Sequence, residues 1–244
     1  MLFISLMCLG FVVAFIGTLA GSGGLIGMPA LMLLGVPVHG AIATAKFSNM
    51  FSSFSSFYVL LKKKELIFYD ALKLIPFAIG GGFLGGLLTS HISGEIMNFV
   101  AIILLGGAFV LSLLKKPIQT PIDDWKPSPR TYPYLFGISM YDGMFGPGQA
   151  TMLMYTFLLN GASFIKAMAF TRFQTFVSCF AAFFPYLLSG HFHWKIGIFF
   201  AAGSIAGAQT AVRIAPKIST KYLKWLLNAV TILLILQLLW KAFL

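Results

Sequence analysis

The apolar stretches of this chain are too long and too regularly spaced for a domain that folds in water. A bilayer core of about 30 Å is crossed by about 20 apolar helical residues, and residues 40–61, 71–90, 94–114, 164–188, 195–212 and 222–242 each answer that length. Charged residues are only 9% of the chain and hydrophobic ones 59%, whereas soluble domains carry about 25% charged residues. A water-soluble enzyme is therefore excluded. The excess of 17 Lys+Arg over 6 Asp+Glu, a net +11, lies between long apolar segments and reads as membrane topology rather than nucleic-acid binding. The run Lys62-Lys63-Lys64 is a topology anchor and lipid headgroup contact on the same grounds.

Two further apolar regions, 2–35 and 132–160, are too long for one crossing, and each is broken by glycines: Gly21-Ser22-Gly23-Gly24 and Gly143-Met144-Phe145-Gly146-Pro147-Gly148. Such clusters interrupt helices, and unwound backbone at membrane depth survives only beside protein or a water-filled cavity. Close packing of small residues is the alternative role. The N-terminal stretch lacks the basic n-region and small-residue cleavage site of a signal peptide and is expected to stay in the mature protein.

The two broken regions belong to an internal repeat. A shift of 126 residues lays Gly35–Phe47 over Gly161–Phe173, matching Gly35 with Gly161, Ala41 with Ala167, Ala43 with Ala169, Lys46 with Arg172 and Phe47 with Phe173, and Gly17 falls on Gly143. With a four-residue slip, Gly81 and Gly85 fall on Gly203 and Gly207. Two halves of four segments follow, an organisation common in secondary transporters.

The positive-inside rule discriminates between two layouts. If all eight segments cross once, the flanking basic residues divide ten against five; if each glycine-broken segment enters and leaves on one side, they divide thirteen against two. The second layout gives each half three true crossings and turns the second half upside down. The expected fold is thus an all-α polytopic membrane protein of two inverted repeats, 1–114 and 132–244, each with a re-entrant helix pair. Residues 115–131 form a cytoplasmic linker, and both termini lie outside.

Lys46 and Arg172 remain inside apolar helices at equivalent repeat positions, where a cation costs about 2.5–3.5 kcal/mol on insertion scales. Snorkelling to the interface is one reading; a shared anion site is the other. Helices that start after Gly24 and after Gly148 would aim positive N-termini at the same place, with Ser22, Gly23, Gly146, Gln149 and Thr151 at the breaks. Asn49, Ser53 and Ser56 form a stripe on the Lys46 helix, and Thr175 is the repeat equivalent of Asn49. Asp142, the one acid within a membrane segment, is a candidate for proton coupling, for an ion pair with Arg172, or for a helix cap.

Other features carry less. His191 and His193 lack a third ligand for zinc, Cys8 and Cys179 have no metal or disulfide spacing and read as packing residues, and no GxxxxGK[ST] motif supports nucleotide hydrolysis. No cofactor is expected. The partners expected are a small anion and the bilayer.

These residues resemble a known family. Gly17–Pro29 (GTLAGSGGLIGMP), the alanine-bearing Gly35–Lys46 segment, and Gly143-x-x-Gly-Pro-Gly followed by Gly161–Arg172 are similar to the TauE/SafE sulfite exporters, also called 4-toluene sulfonate uptake permeases. The resemblance spans nearly the whole chain. It implies a bacterial or archaeal inner-membrane transporter of sulfur oxyanions or organosulfonates. The first glycine run, GSGGLIG, is interrupted, and Gln149 stands after Gly-Pro-Gly where glycine is common. Alternating access around Lys46, Arg172 and the two helix N-termini is the expected mechanism; an anion channel with a glycine-loop filter is the alternative. For a membrane enzyme no nucleophile, base or metal constellation is present in the sequence.

Overall fold

The computed structural model describes residues 2–21, 23–90, 92, 93, 96, 122, 125–219, 221, 222, 225 and 229. Ser22, and all but isolated positions of the spans expected at 94–114 and 222–242, lie outside the described residues, as does most of 115–124. Among those described the fold is all-helical. The helices are α1 (Leu2–Ala20), α2 (Gly23–Leu33), α3 (Val38–Lys62), α4 (Phe68–Leu72), α5 (Ile75–Ser90), α6 (Tyr132–Met144), α7 (Gln149–Leu159), α8 (Phe164–Leu188) and α9 (Trp194–Ile214). Four stretches are long and apolar enough to cross a membrane: Phe3–Ala20, Phe68–Ser90, Phe164–Leu188 and Trp194–Lys217. Helix α3 matches α8 in its 25-residue length but is diluted by serines.

The glycine breaks fall where helices end. Helix α1 stops at Ala20, before Gly21 with φ +76°, and α6 stops at Met144, with Gly146 and Gly148 at φ +101° and +84° before α7. The 126-residue shift carries the bounds of α2 onto α7 and those of α3 onto α8, residue for residue. Gly35 and Gly161 close α2 and α7 in the left-handed conformation (φ +84° and +93°). The following amides bond back, Val36 N to Leu31 O and Ala162 N to Phe157 O, both 3.1 Å, the Schellman arrangement that favours glycine.

Packing fixes the helix directions. Rings of α3 and α8 meet as Phe47–Phe183, Phe54–Phe176 and Phe57–Phe173, at 5.3, 5.1 and 4.9 Å between centroids, so the two helices run antiparallel. Gly203 and Gly207 of α9 sit against the Met7 and Phe11 carbonyls of α1, so those helices run parallel. Ser48 donates to Ser204 at 2.6 Å and Gln209 bonds Ser55, which aligns α3 with α9. In the other bundle, Gly81 and Gly85 of α5 meet the Phe136 and Met140 backbone of α6, and Gly82 and Gly86 meet Ser178 and Ala182 of α8, again parallel. Helices α1, α3 and α9 thus point one way and α5, α6 and α8 the other. Sequence-equivalent helices, α1 with α6, α3 with α8 and α5 with α9, run in opposite directions. Gly17 does not occupy the place of Gly143: it packs on Gly23 of its own hairpin, while Gly143 packs on α5. Met7 and Phe11 stand where Phe136 and Met140 stand, a three-residue slip.

The outside is apolar, and inside a number of polar side chains are buried among the apolar ones. Phe11, Ile79, Phe83, Leu87, Phe180 and Phe184 are exposed, whereas Thr44, Ser48, Ser52, Ser53, Gln174, Ser178 and Ser204 are buried. Since lipid tails supply no net hydrophobic force, helix association here rests on close contact through glycines and on interhelical hydrogen bonds. An added methyl at Gly203 or Gly85 would run into the Met7 or Met140 carbonyl, while Gly137 has open space around its α-carbon. Gly203→Ala and Gly85→Ala should each destabilise by about 1–3 kcal/mol, whereas Gly137→Ala within α6 should stabilise by about 0.5–1 kcal/mol. Thermal unfolding of the three variants in detergent reads both signs.

Candidate functional site

The two helix breaks meet at the middle of the molecule. Thr151 binds the other break twice, its N–H donating to Gly21 O and its hydroxyl to Ala20 O, both at 3.1 Å. A Cβ on Gly21 would lie 2.5 Å from Thr151 N, and one on Gly24 would lie 3.2 Å from Pro147 Cα. Only glycine permits this approach. The Pro147 carbonyl accepts from the buried Tyr141 hydroxyl at 2.6 Å, and Tyr186 donates to the Gly143 and Met144 carbonyls at 3.2 and 3.0 Å. Free carbonyls left by the break in α6 are thereby paired inside a medium without water.

Beside the breaks lies a cavity of about 40 Å³ lined by α1, α2, α3, α6, α7 and α8. That is room for more than one water. Of the residues selected from the sequence, Lys46, Arg172, Asn49, Thr175, Gln149, Gly23, Gly24, Gly146 and Asp142 line this one cavity. Gly148 does not line it; in its left-handed conformation it forms the N-cap of α7. Ser53 is buried within α3 without a hydrogen-bond partner for its hydroxyl, and Ser56 serves Arg172.

Three charged side chains line the cavity, each almost wholly buried: Lys46 at 1% exposure, Asp142 at 2% and Arg172 at 4%. Lys46 does not snorkel. Its ammonium lies 2.8 Å from Asp142 Oδ1 and also donates to the Asp142 carbonyl. The other carboxylate oxygen accepts from Ser178 Oγ at 2.5 Å and from the Cys179 thiol at 3.3 Å. Of the three roles considered for Asp142, the ion pair is made, but with Lys46 rather than Arg172, because α3 brings Lys46 against the end of α6. Cys179, expected to be a packing residue, is a ligand of this carboxylate; nothing in its apolar surroundings in the sequence signals that role.

Arg172 has no carboxylate within ion-pair distance among the described residues. Its guanidinium donates to hydroxyls of α3, Nε to Ser56 at 2.7 Å and Nη2 to Ser52 at 3.4 Å. Gln149, at the first turn of α7, binds Thr175 through its amide at 3.0 Å. Asn49 is half-buried and has no hydrogen-bond partner among the described residues. Lys46, Asp142 and Arg172 together leave one net positive charge, beside the N-termini of α2 and α7, whose partial charges add to it. The arrangement suits a small anion.

Gly146 shows how tightly the pair is held: with φ at +101°, a Cβ there would lie 2.6 Å from Lys46 Nζ and 2.9 Å from Asp142 Oδ1. At the far end, His39 and His191 stack at 4.7 Å between centroids, His39 bonding Thr89 O at 3.2 Å. No group of three metal-ligating side chains occurs among the described residues.

Removing one member of a buried ion pair strands the other. Asp142→Ala should destabilise the protein by about 3–5 kcal/mol, and Lys46→Met combined with Asp142→Asn should recover most of that loss. Unfolding temperatures of the single and double variants check this.

The profile of the family described as "Sulfite exporter TauE/SafE" matches residues 6–238. The "Probable membrane transporter protein ORF9" of Sinorhizobium is 31% identical over 236 residues, 94% of this chain and 89% of that protein. The "Probable membrane transporter protein" of Haemophilus influenzae is 33% identical over 218 residues, 86% and 83% of the two chains. A third relative, "Probable membrane transporter protein YfcA" of Escherichia coli, is 25% identical over 203 residues, 82% and 76% of the two chains. No solved structure shows a significant match. A family match over nearly the full length, joined to membrane-length apolar helices around a buried polar interior, makes the conclusion direct: this chain belongs to the sulfite exporter TauE/SafE family and is a multi-pass membrane transporter, not an enzyme.

Proposed function

We propose that the chain is a secondary transporter of small anions of the sulfite and sulfonate class, working by alternating access around the cavity that holds Lys46 and Arg172. The observation that carries this reading is Arg172: a buried guanidinium without a carboxylate partner among the described residues, facing the same cavity as the N-terminal turns of α2 and α7. A cation kept in that state is stabilised when an anion arrives. Asn49, Thr175 and Gln149 add polar side chains for its oxygens, and Gly23, Gly24 and Gly146 let the backbone approach it. Ser22, at the same break, belongs to the proposed site by sequence alone. The family description supplies the sulfur chemistry.

The halves 1–114 and 132–244, joined by a cytoplasmic linker at 115–131, form an inverted repeat in this reading. Its supports are the opposite directions of equivalent helices, and the hairpins α1–α2 and α6–α7: α2 folds back along α1, and α7 runs antiparallel to α8 and hence to α6. Each hairpin begins and ends on one face, as the division of basic residues requires. Both termini then lie outside a bacterial or archaeal inner membrane.

In proteoliposomes, Arg172→Ala should weaken sulfite or sulfonate binding roughly 100-fold, and Arg172→Lys roughly tenfold through loss of the planar fork. Unchanged transport by both would overturn the assignment. Saturable counterflow is the expected kinetic form; conductance far above carrier rates would replace it by a channel. A cysteine at Ser128, in a Cys8→Ala background, should react with an impermeant maleimide only from the cytoplasmic side, and labelling from outside would overturn the topology.

A further inference from the structure

We infer that Asp142 is a built-in counter-ion that sets the valence of the cargo, so that the carrier selects singly charged anions and exchanges them one for one. The inference rests on the anion-transport reading above and deepens it. Its basis is the charge arithmetic of one buried site. Among the described residues three charged side chains line the cavity: Lys46 and Asp142 neutralise each other at 2.8 Å, and Arg172 is met by the hydroxyls of Ser56 and Ser52. The empty site is thus +1.

More than the lysine binds the Asp142 side chain. Its second oxygen accepts from Ser178 at 2.5 Å and from Cys179 at 3.3 Å, and the Lys46 ammonium is tied to the Asp142 backbone carbonyl as well. An incoming anion finds this pair saturated and Arg172 unsatisfied. A monoanion brings the formal charge of side chains and cargo to zero; a dianion of the same shape brings it to −1. Buried net charge of either sign is disfavoured in a low-dielectric interior, so the site loaded with a monoanion passes most easily through an occluded state. Without cargo the site keeps its +1, and the return step is slowed. Fast movement in both directions therefore needs an anion each way.

The test compares two tetrahedral oxyanions of similar shape, methanesulfonate with one negative charge and sulfate with two, on the full chain in proteoliposomes. Methanesulfonate-for-methanesulfonate counterflow should exceed net methanesulfonate efflux by about tenfold or more, and sulfate should exchange at least about tenfold more slowly than methanesulfonate. Asp142→Asn raises the empty site to +2 and should shift the rate ratio toward sulfate by about tenfold. Because that variant strands Lys46, the combined Lys46→Met, Asp142→Asn protein is the decisive partner: Arg172 alone keeps the site at +1, so the monoanion preference should return, whatever the remaining rate. Equal rates for the two anions in the native protein, net efflux as fast as counterflow, or a double variant that prefers sulfate would each overturn the inference while leaving anion transport in place. If neither these anions nor sulfite moves or binds, the transport reading itself fails.

Discussion

A lysine, an arginine and one aspartate are buried together at the crossing of broken helices, and most of the surrounding architecture satisfies them. An ion pair this deep is no source of stability in itself, because removing both groups from water costs several kcal/mol each. It persists because every strong acceptor of Asp142 has a donor: Lys46 on one oxygen and on the backbone carbonyl, Ser178 and Cys179 on the other oxygen. Arg172 is the exception, held among the described residues by serine hydroxyls. That asymmetry between a neutralised lysine and an unneutralised arginine is what the proposal of an anion site rests on.

Backbone geometry makes this placement possible. Helices that stop at Ala20 and Met144 leave carbonyls and amides without helical partners, and the hydroxyls of Tyr141, Thr151 and Tyr186 take up several of them. Glycine is needed at Gly21 and Gly146 for two reasons at once, a left-handed φ and contact with atoms where a side chain would sit. The same small residue, on α5 and α9, lets helices from opposite halves touch backbone to backbone. The first half therefore never packs alone: α1 and α3 lie against α9, and α5 lies against α6 and α8.

Much of this was legible in one dimension. Membrane-length apolar runs follow from composition, and the 126-residue repeat foretold helix bounds that coincide for α2 with α7 and α3 with α8. Lys46, Arg172 and Asp142 stood out because an ionised group in an apolar segment is costly enough to demand a reason. Gly23, Gly24, Gly146 and Gln149 were found through the breaks. The ion-pair partner was not: the pairing considered for Asp142 was with Arg172, and the matching of Gly17 with Gly143 missed a three-residue slip in how α1 and α6 pack. Cys179, Ser178 and Tyr186 carry no mark in sequence, since a lone thiol or hydroxyl in an apolar helix costs little until something is placed next to it.

Read along its length, the chain already pointed to membrane-length helices and to two interior cations at matching positions, because segment length, hydropathy and repetition are properties of residues taken in order. Only the tertiary structure decided which charges neutralise each other. Helix α8 crosses α3 antiparallel, which sets Arg172 against Ser52 and Ser56, while α6 ends beside Lys46 and presents Asp142 to it. Coulomb energy inside a low-dielectric interior changes steeply over a few ångströms, and separations that small are fixed by helix direction and crossing, which no order of residues along one chain discloses.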